Sequence, residues 1–483
     1  MAIDTHVDHL KYRRTKMVAT IGPASESRER IASLVEAGVN IFRLNMSHGE
    51  HARHRQVFRF IRDVADTSGQ PVAVLADLCG PKIRTGRFPG GPIQLTMGDQ
   101  VIVTTRDVPG EQDLIPSQYA DLHRDVSMGD RILIADGLIE LCVVDVNGQD
   151  IQCDVIHGGE LSEHKGINLP GVDVSVPSLT EKDKRDVQFA LDLGVDFVAM
   201  SFVRSANDMD VLRELVLGSE QSPSLIAKIE KPEALENAEA IIMCSDGIMV
   251  ARGDLGVELS PEEVPLAQDE LIALARRNNK PVIVATQMLE SMISSARPTR
   301  AEVTDVAYAV NSGADAVMLS GETAVGAYPI ETAVTMDRIA RQVEAQLNRQ
   351  GMWGRLLDHQ DSGALATVIA DATSHMSKAL SARGIIVISQ SGISAITVSN
   401  ARPAAPIVAI TNSDVVFRQM ALMWGVVPVM QSAAGVENPN ELARQVADAL
   451  SLASSGEVIL LVRGFHDEPI LNLPSVTVVT ICC

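Results

Sequence analysis

Three short segments of the sequence share one pattern, in which a glycine ends a helical stretch and an apolar strand begins at once. The segments are EAGVN (36–40), DLGVD (192–196) and NSGAD (311–315). Glycine readily takes the left-handed conformation with which many helices end. Apolar strands, each followed by a helical stretch, centre near residues 18, 41, 74, 198, 227, 249, 283 and 317. This repeat predicts an α/β fold built on a (β/α)8 TIM barrel.

The barrel pattern is interrupted after the third strand. From Arg87 to about Val174 the helical period gives way to short alternating strands, and Asn147-Gly148 between two of them is a strong hairpin signal. We interpret this stretch as a small β-rich lid domain inserted into the barrel. A second α/β domain follows the barrel. The expected domains are the first part of the barrel (1–86), the lid (87–174), the second part of the barrel (175–346) and a C-terminal regulatory domain (347–483).

Composition limits the possible partners. The formal net charge of −21 argues against nucleic acid as a partner. The N-terminus lacks the apolar core of a secretory signal, and no apolar run approaches the roughly 20 residues of a membrane span. The cysteines show no CxxC spacing, which is typical of reduced thiols. We therefore expect a cytoplasmic protein without a membrane partner.

The stretch 225–259 carries the clearest candidate site. Its first strand ends with Lys228 and Glu230, and its second strand ends at RGDLG, which we interpret as a glycine-rich turn that begins at Arg252. Adjacent parallel strands lie roughly 4.8 Å apart, so Glu230 and Asp254 can face each other. Two carboxylates suit Mg²⁺ or Mn²⁺. The N–H groups of Gly253 and Asp254 could bind a carboxylate or a phosphate at the turn.

Other strand ends add cations and hydroxyls to this site. They carry Arg43, Asn45, Ser47, His48, Asp77, Lys82, Arg84, Thr286 and Ser320. A metal and several cations around one pocket favour phosphoryl transfer to or from a small anion, although no Walker A motif is present. Two other functions remain open. A metal-dependent aldolase or decarboxylase could use the same carboxylates, and a metabolite sensor could act through the C-terminal domain, although the presence of Lys228, Glu230 and Asp254 together counts against a sensor.

Several long motifs resemble those of the pyruvate kinase family, in the family's order and over nearly the whole chain. They are TKMVATIGPAS, GVNIFRLNMSHG, GPKIRTG, KGINLPG, KIEKPEAL, DGIMVARGDLGVE, ATQMLESMI, RPTRAEVTDVA and MLSGETAVGAYP. The resemblance implies a barrel, an inserted lid and a C-terminal α/β domain. It also implies the last step of glycolysis, in which phosphoenolpyruvate and ADP give pyruvate and ATP.

The resemblance also implies roles for residues on the substrate side. Lys228 would stabilise the transferring phosphoryl group, and Arg43 would contact it. Glu230 and Asp254 would bind Mg²⁺. Gly253, Asp254 and Thr286 would hold the substrate carboxylate. For protonation of the enolate we favour Thr286, acting through a water network, over Lys228.

On the nucleotide side the family match implies four residues. Arg84, Asn45 and His48 would line the ADP site, and lid closure would bring Lys165 to it. Arg84 also belongs to the implied catalytic set. Closure of the lid should exclude water, which competes for the phosphoryl group.

One departure from the family pattern concerns potassium. Members that require K⁺ usually have Glu where Lys82 stands and Thr-Lys where Leu78-Cys79 stand. The remaining residues of that monovalent site, Asn45, Ser47 and Asp77, are present. The ammonium group of Lys82 supplies the same single positive charge as K⁺. We therefore expect activity that does not require K⁺.

A second site is expected in the C-terminal domain. The segment ISQSGISAI (388–396) runs from a strand end into a helix and carries Ser389, Ser391, Gly392 and Ser394. Hydroxyls and N–H groups at a helix start suit a phosphate, although ordinary helix capping is the alternative. The family places a phosphorylated effector here, and the loop 463–474 favours a sugar monophosphate or AMP. The resemblance also implies a homotetramer.

Overall fold

A computed structural model describes residues 13–172, 174–219, 222–353, 365–435, 437–466, 468 and 470–481. The sequence of residues 347–362 lacks a clear period and predicts a linker and docking helix, of which residues 354–362 lie outside the described residues. The strands in chain order are β1 (Lys16–Thr20), β2 (Ile41–Asn45), β3 (Ala73–Asp77), β4 (Ile93–Leu95), β5 (Gln100–Thr104), β6 (Leu114–Pro116), β7 (Arg131–Ile134), β8 (Ile139–Asn147), β9 (Asp150–His157), β10 (Gly159–Leu161), β11 (Ile167–Asn168), β12 (Phe197–Met200), β13 (Ser224–Ile229), β14 (Gly247–Ala251), β15 (Val282–Ala285), β16 (Ala316–Leu319), β17 (Ile385–Ile388), β18 (Ile407–Thr411), β19 (Val426–Met430), β20 (Val458–Arg463) and β21 (Ser475–Thr480).

The helices of the described chain alternate with the barrel strands and flank the other sheets. They are α1 (Arg28–Glu36), α2 (His51–Ser68), α3 (Leu122–Asp125), α4 (Glu181–Leu193), α5 (Ala206–Val216), α6 (Pro232–Glu236), α7 (Ala238–Cys244), α8 (Arg252–Glu258), α9 (Val264–Arg277), α10 (Arg300–Ser312), α11 (Gly321–Ala324), α12 (Pro329–Arg349), α13 (Leu365–Ala379), α14 (Ile393–Asn400), α15 (Asp414–Gln419) and α16 (Pro439–Ala449), with short 3₁₀ turns at Glu290–Ile293 and Met420–Leu422. None of the described helices is both long enough and apolar enough to cross a membrane.

Within the described residues, eight parallel strands close into a barrel in the order β1, β2, β3, β12, β13, β14, β15 and β16. The strands β4 to β11 form separate sheets between β3 and β12, with their own apolar core. A five-stranded sheet, in the order β19, β18, β17, β20 and β21, belongs to the C-terminal α/β part. The predicted fold class is confirmed, and the domain limits stay a prediction.

The glycine stops act as the sequence pattern predicts, because Gly194 and Gly313 end α4 and α10 in the left-handed conformation. The predicted turn at RGDLG is wrong, because these residues form the first turns of α8. Gly253 fits this helix because it lies against Thr286: a Cβ atom at Gly253 would stand 3.3 Å from Thr286 Oγ1.

The amino ends of the barrel strands are held by side-chain acceptors. Asn40, Asp196, Asp246 and Asp315 each directly precede a strand, and each accepts the backbone N–H of a residue in the preceding barrel strand, at 2.7 to 3.0 Å. The donors are Met17, Val74, Leu225 and Val282. Each acceptor also pairs with an arginine, from Arg13, Arg62, Arg213 or Arg402. These contacts fix the register between neighbouring strands, and they explain the Asn or Asp that ends each sequence repeat.

The C-terminal part docks on these same carboxylates. The guanidinium of Arg402 is buried, donates to Asp315 at 2.9 Å and stacks 4.7 Å from the Trp424 ring. Arg418 donates to Asp196 at 2.6 Å.

We expect Asp196→Ala to destabilise the protein by about 3 kcal/mol, because the substitution removes the carboxylate that pairs with Arg62 and Arg418 and that accepts the Val74 N–H. Thermal unfolding should show the loss as a lower Tm. Asp192→Ala, an exposed position on the preceding helix, is the control and should leave the Tm almost unchanged. Equal losses of Tm in Asp196→Ala and Asp192→Ala would contradict the stabilising role of Asp196 at the amino end of the barrel.

Candidate active site

A cavity at the carboxyl ends of the barrel strands gathers most of the predicted site residues. Its lining includes Arg43, Asn45, Ser47, Asp77, Lys82, Lys228, Glu230, Asp254 and Thr286. Asp254 and Thr286 also line an adjoining cleft of about 610 Å³, together with Gly253 and Ser320. The structure thus brings both predicted carboxylates to one place with three of the predicted cations, Arg43, Lys82 and Lys228.

The centre of this cavity is a buried cluster of charges. Lys228 Nζ lies 3.2 Å from Asp77 Oδ1 and 2.9 Å from Glu230 Oε1, and it donates to Ser201 Oγ at 2.7 Å. Both carboxylates are only 1% exposed. Arg43 pairs with the other oxygen of Asp77. Asp77, which we had placed only in a monovalent site, therefore also holds the two cations nearest the centre.

The pKa values in the cluster follow from this arrangement. Burial alone would lower the pKa of Lys228, but the charges of Asp77 and Glu230 outweigh it and raise that pKa. Burial would raise the pKa of Asp77, but Lys228 and Arg43 together lower it. Lys228 is therefore held as a cation and Asp77 as an anion.

Glu230 is the exception in this cluster, and it fits a metal ligand. Burial and then the charge of Asp254 raise the pKa of Glu230, although Lys228 opposes them. Its Oε1 is buried and is held by the ion pair with Lys228 Nζ at 2.9 Å, without a further hydrogen bond from the described residues. A divalent cation between Glu230 and Asp254 would relieve the repulsion between the two carboxylates.

The other oxygen of Glu230 depends on Phe202. The Phe202 N–H donates to Glu230 Oε2 at 2.8 Å, and Phe202 has a positive φ of 56°. Such a conformation is uncommon for an aromatic residue and marks a site of strain. Sequence reasoning missed Phe202, because the segment after β12 carries no local signal of this conformation.

Thr286 is positioned by Gly253 and Arg252. Thr286 has a φ of 68°, which is an outlier for a β-branched residue. Its Oγ1 accepts the Gly253 N–H at 2.7 Å and donates to the Ala285 carbonyl at 2.6 Å. Arg252 donates to the Thr286 carbonyl at 2.8 Å and pairs with Asp305 at 2.5 Å. Arg252 is thus a second residue whose positioning contact sequence reasoning missed, since its partners lie more than 30 positions away.

The residues predicted for the nucleotide site do not all line the central cavity. His48 and Lys165 are exposed, and His48, Arg84 and Lys165 are not among the lining residues of the central cavity. Arg84 donates to the His164 carbonyl at 3.0 Å, and the Lys165 N–H donates to Thr85 Oγ1 at 2.9 Å. These bonds join the inserted β-rich segment that carries Lys165 to the loop that follows β3.

The edge of the cavity near His48 is positively charged, because the charges of Lys82, Arg84 and Arg43 act on this histidine. Partial burial, and then the charges of Lys82, Arg84 and Arg43, lower the pKa of His48. His48 is therefore mostly neutral at neutral pH. The three cations around it form an edge that suits an anionic group.

The predicted effector residues form a separate group in the C-terminal part. Gly392 starts α14 with a φ of 87°, Ser391 is exposed, and Ser389 and Ser394 are buried. The Ser389 hydroxyl has no hydrogen-bond partner among the described residues. The segment thus runs from a strand end into a helix start, as the sequence indicated, and the structure adds that the Ser389 hydroxyl is buried.

Comparisons with known proteins agree with this architecture. The family model described as the pyruvate kinase barrel domain matches residues 12–333, and the model of the pyruvate kinase alpha/beta domain matches residues 367–471. A pyruvate kinase of Mycobacterium intracellulare is 45% identical over 459 residues, which cover 94% of this chain and 95% of the relative. One of Corynebacterium glutamicum is 43% identical, with 94% of each chain covered. The crystal structure of a pyruvate kinase from Cryptosporidium parvum superimposes with a TM-score of 0.89 at 35% identity and covers 97% of both chains.

Proposed function

The chain belongs to the pyruvate kinase family, and we propose that it uses Mg²⁺ to transfer the phosphoryl group of phosphoenolpyruvate to ADP. The observation that carries this proposal is the buried Lys228 cation between Asp77 and Glu230 at the mouth of the barrel. A fixed cation in a water-poor site stabilises charge that develops on a transferring phosphoryl group.

On the substrate side, Lys228 and Arg43 contact the phosphoryl group. The N–H groups of Gly253 and Asp254, with the Thr286 hydroxyl, hold the substrate carboxylate. The Gly253 N–H donates to Thr286 Oγ1, so this hydroxyl and the substrate carboxylate share one donor. Arg252 keeps Thr286 in place through its bond to the Thr286 carbonyl.

Glu230 and Asp254 would hold the Mg²⁺, or Mn²⁺ in its place. The cation would supply positive charge that offsets the negative charge of the substrate and of the transferring phosphoryl group. Glu230 is suited to this role because one of its oxygens is fixed by the Phe202 N–H and the other has, besides its ion pair with Lys228, no hydrogen bond from the described residues.

Asn45, His48, Arg84 and Lys165 form the nucleotide side, which the lid covers. Closure of the lid excludes water from the phosphoryl group. The enolate is protonated through Thr286 and a water network. The raised pKa of Lys228 supports this choice, since it makes the ammonium group a poor proton donor.

Replacing Lys228 tests the reaction and the role together. We expect Lys228→Met to lower ADP-dependent pyruvate formation by roughly a thousandfold, because the cation at the phosphoryl group is lost. Pyruvate is measured by coupling to lactate dehydrogenase, and circular dichroism checks the fold. Lys184→Met, an exposed lysine on α4, is the control. A folded Lys228→Met variant with unchanged turnover would remove the catalytic assignment, and a wild type that forms pyruvate without ADP would favour the aldolase or decarboxylase alternative.

Lys82 replaces the diffusible K⁺ in our proposal. It lines the same cavity as Asn45, Ser47 and Asp77, the remaining residues of the monovalent site. The ammonium group of Lys82 there supplies a tethered positive charge.

We expect the activity of the wild type in tetramethylammonium buffer to be unchanged when KCl is added. Lys82→Glu should lower activity about tenfold or more without K⁺, since opposite charges at close range interact by a few kcal/mol. KCl should restore much of this loss. A wild-type enzyme that depends strongly on KCl would refute the proposal.

The C-terminal group of Ser389, Ser391, Gly392 and Ser394 is proposed to bind a sugar monophosphate or AMP as an allosteric effector. The helix start and the unpartnered Ser389 hydroxyl support a phosphate there. We further propose a cytoplasmic homotetramer, on the family resemblance alone.

A negative charge at Ser391 should repel the effector phosphate. We expect Ser391→Asp to lose activation by AMP and by sugar monophosphates, while activity without effector is kept. Ser391→Ala, which adds no charge, should retain most of the activation. Full activation of Ser391→Asp by every one of these compounds would show that the effector binds elsewhere.

A further inference from the structure

A buried ion pair next to the proposed metal site involves Glu258, the last residue of α8. Its side chain is 1% exposed, and its Oε1 accepts from Lys231 Nζ at 2.7 Å and from Asn168 Nδ2 at 3.3 Å. Its Oε2 is buried and has no hydrogen-bond partner among the described residues. The Lys231 side chain is 9% exposed. None of these three residues has a role in the function proposed above.

The three partners lie on three segments that each carry a part of the site. Lys231 directly follows Glu230. Glu258 stands four positions after Asp254 on α8, so the two side chains share one face of that helix. Asn168 belongs to β11, which pairs with β7 in the lid. The carboxylate of Glu258 therefore connects both segments of the metal site with each other and with the lid.

The energetics of burial make the link between Lys231 and Glu258 stiff. A buried carboxylate with one cationic partner cannot lose that partner without a large desolvation penalty. The backbone at Lys231 cannot move away from α8 unless the pair breaks. Since Glu230 is its neighbour, the separation of Glu230 from Asp254 is set before a metal ion arrives. The bond from neutral Asn168 is longer and weaker, so the lid can release it during opening.

We propose that Glu258 is a positioning residue with two separable contacts. Its contact with Lys231 presets the distance between the two metal-binding carboxylates, and its contact with Asn168 favours the closed lid. This inference rests on the proposed metal site. It predicts that loss of the contact with Lys231 weakens Mn²⁺ binding, whereas loss of the contact with Asn168 raises the KM for ADP.

Direct titration of the folded enzyme with Mn²⁺, followed by electron paramagnetic resonance without substrate, tests the contact with Lys231. We expect Glu258→Gln and Lys231→Met each to weaken Mn²⁺ binding about tenfold, as is typical of residues that orient metal ligands. The kcat at saturating Mn²⁺ should stay close to that of the wild type. The double variant should lose less than the product of the two single losses, because both substitutions remove one ion pair. Lys184→Met serves as the lysine control.

Asn168→Ala tests the contact with the lid. We expect unchanged Mn²⁺ binding and a raised KM for ADP, which a general loosening of the metal site would not produce. Glu258→Gln conserves shape, so it carries the test if Lys231→Met does not fold. Unchanged Mn²⁺ binding in folded Glu258→Gln, or equal weakening of Mn²⁺ binding in Asn168→Ala, would overturn the inference. A wild type that binds Mn²⁺ but forms no pyruvate would instead remove the proposed function, and weaker Mn²⁺ binding in Glu258→Gln would still support the positioning role.

Discussion

The register of the barrel depends on the acceptors at its amino end. Each of Asn40, Asp196, Asp246 and Asp315 takes an N–H from the preceding barrel strand, and Asp196 and Asp315 are buried, whereas Asn40 and Asp246 are half-buried. The barrel strands have only four to six residues, so the register set at one end decides which side chains emerge at the other. The pairing of Lys228 with Met249 near the mouth is one result of this register, because the Asp246 contact joins the same two strands, β13 and β14. The positions of the side chains in the site therefore depend on contacts at the opposite end of the barrel.

The same carboxylates serve as the docking points of the C-terminal part. Asp315 receives Arg402 and Asp196 receives Arg418, in addition to their backbone donors. Burial, and then the nearby charge of Arg402, lower the pKa of Arg276 to about 9. Crowding cations at this interface therefore costs free energy, which the buried carboxylates offset. Docking and strand register are thus parts of one network of buried charges.

The sequence predicted the barrel and the strand-end residues well, because both depend on local patterns. Apolar runs and glycine stops recur along the chain, and Lys228, Glu230 and Asp254 follow directly from where strands end. The helix at Arg252 was missed because glycines 253 and 256 suggest a turn, and only the close contact with Thr286 shows why a glycine fits there. The positions of Phe202 and Glu258 could not be predicted, since their partners lie 27 or more positions away in the sequence. Distance along the chain, more than residue type, set the limit of sequence reasoning.

The charges that face the central cavity are balanced, although the whole chain is acidic. Its described lining residues include three cations, which are Arg43, Lys82 and Lys228, and three carboxylates, which are Asp77, Glu230 and Asp254. A divalent cation and an anionic substrate can therefore enter together with little change in the net charge of the cavity. A glutamate in place of Lys82 would shift this balance by two negative charges, and one bound K⁺ would restore only one of them. With every other lining residue of this chain unchanged, the cavity with Lys82 is therefore one unit charge more positive than a K⁺-loaded Lys82→Glu cavity, which favours the phosphate of the substrate in a protein whose overall field repels it.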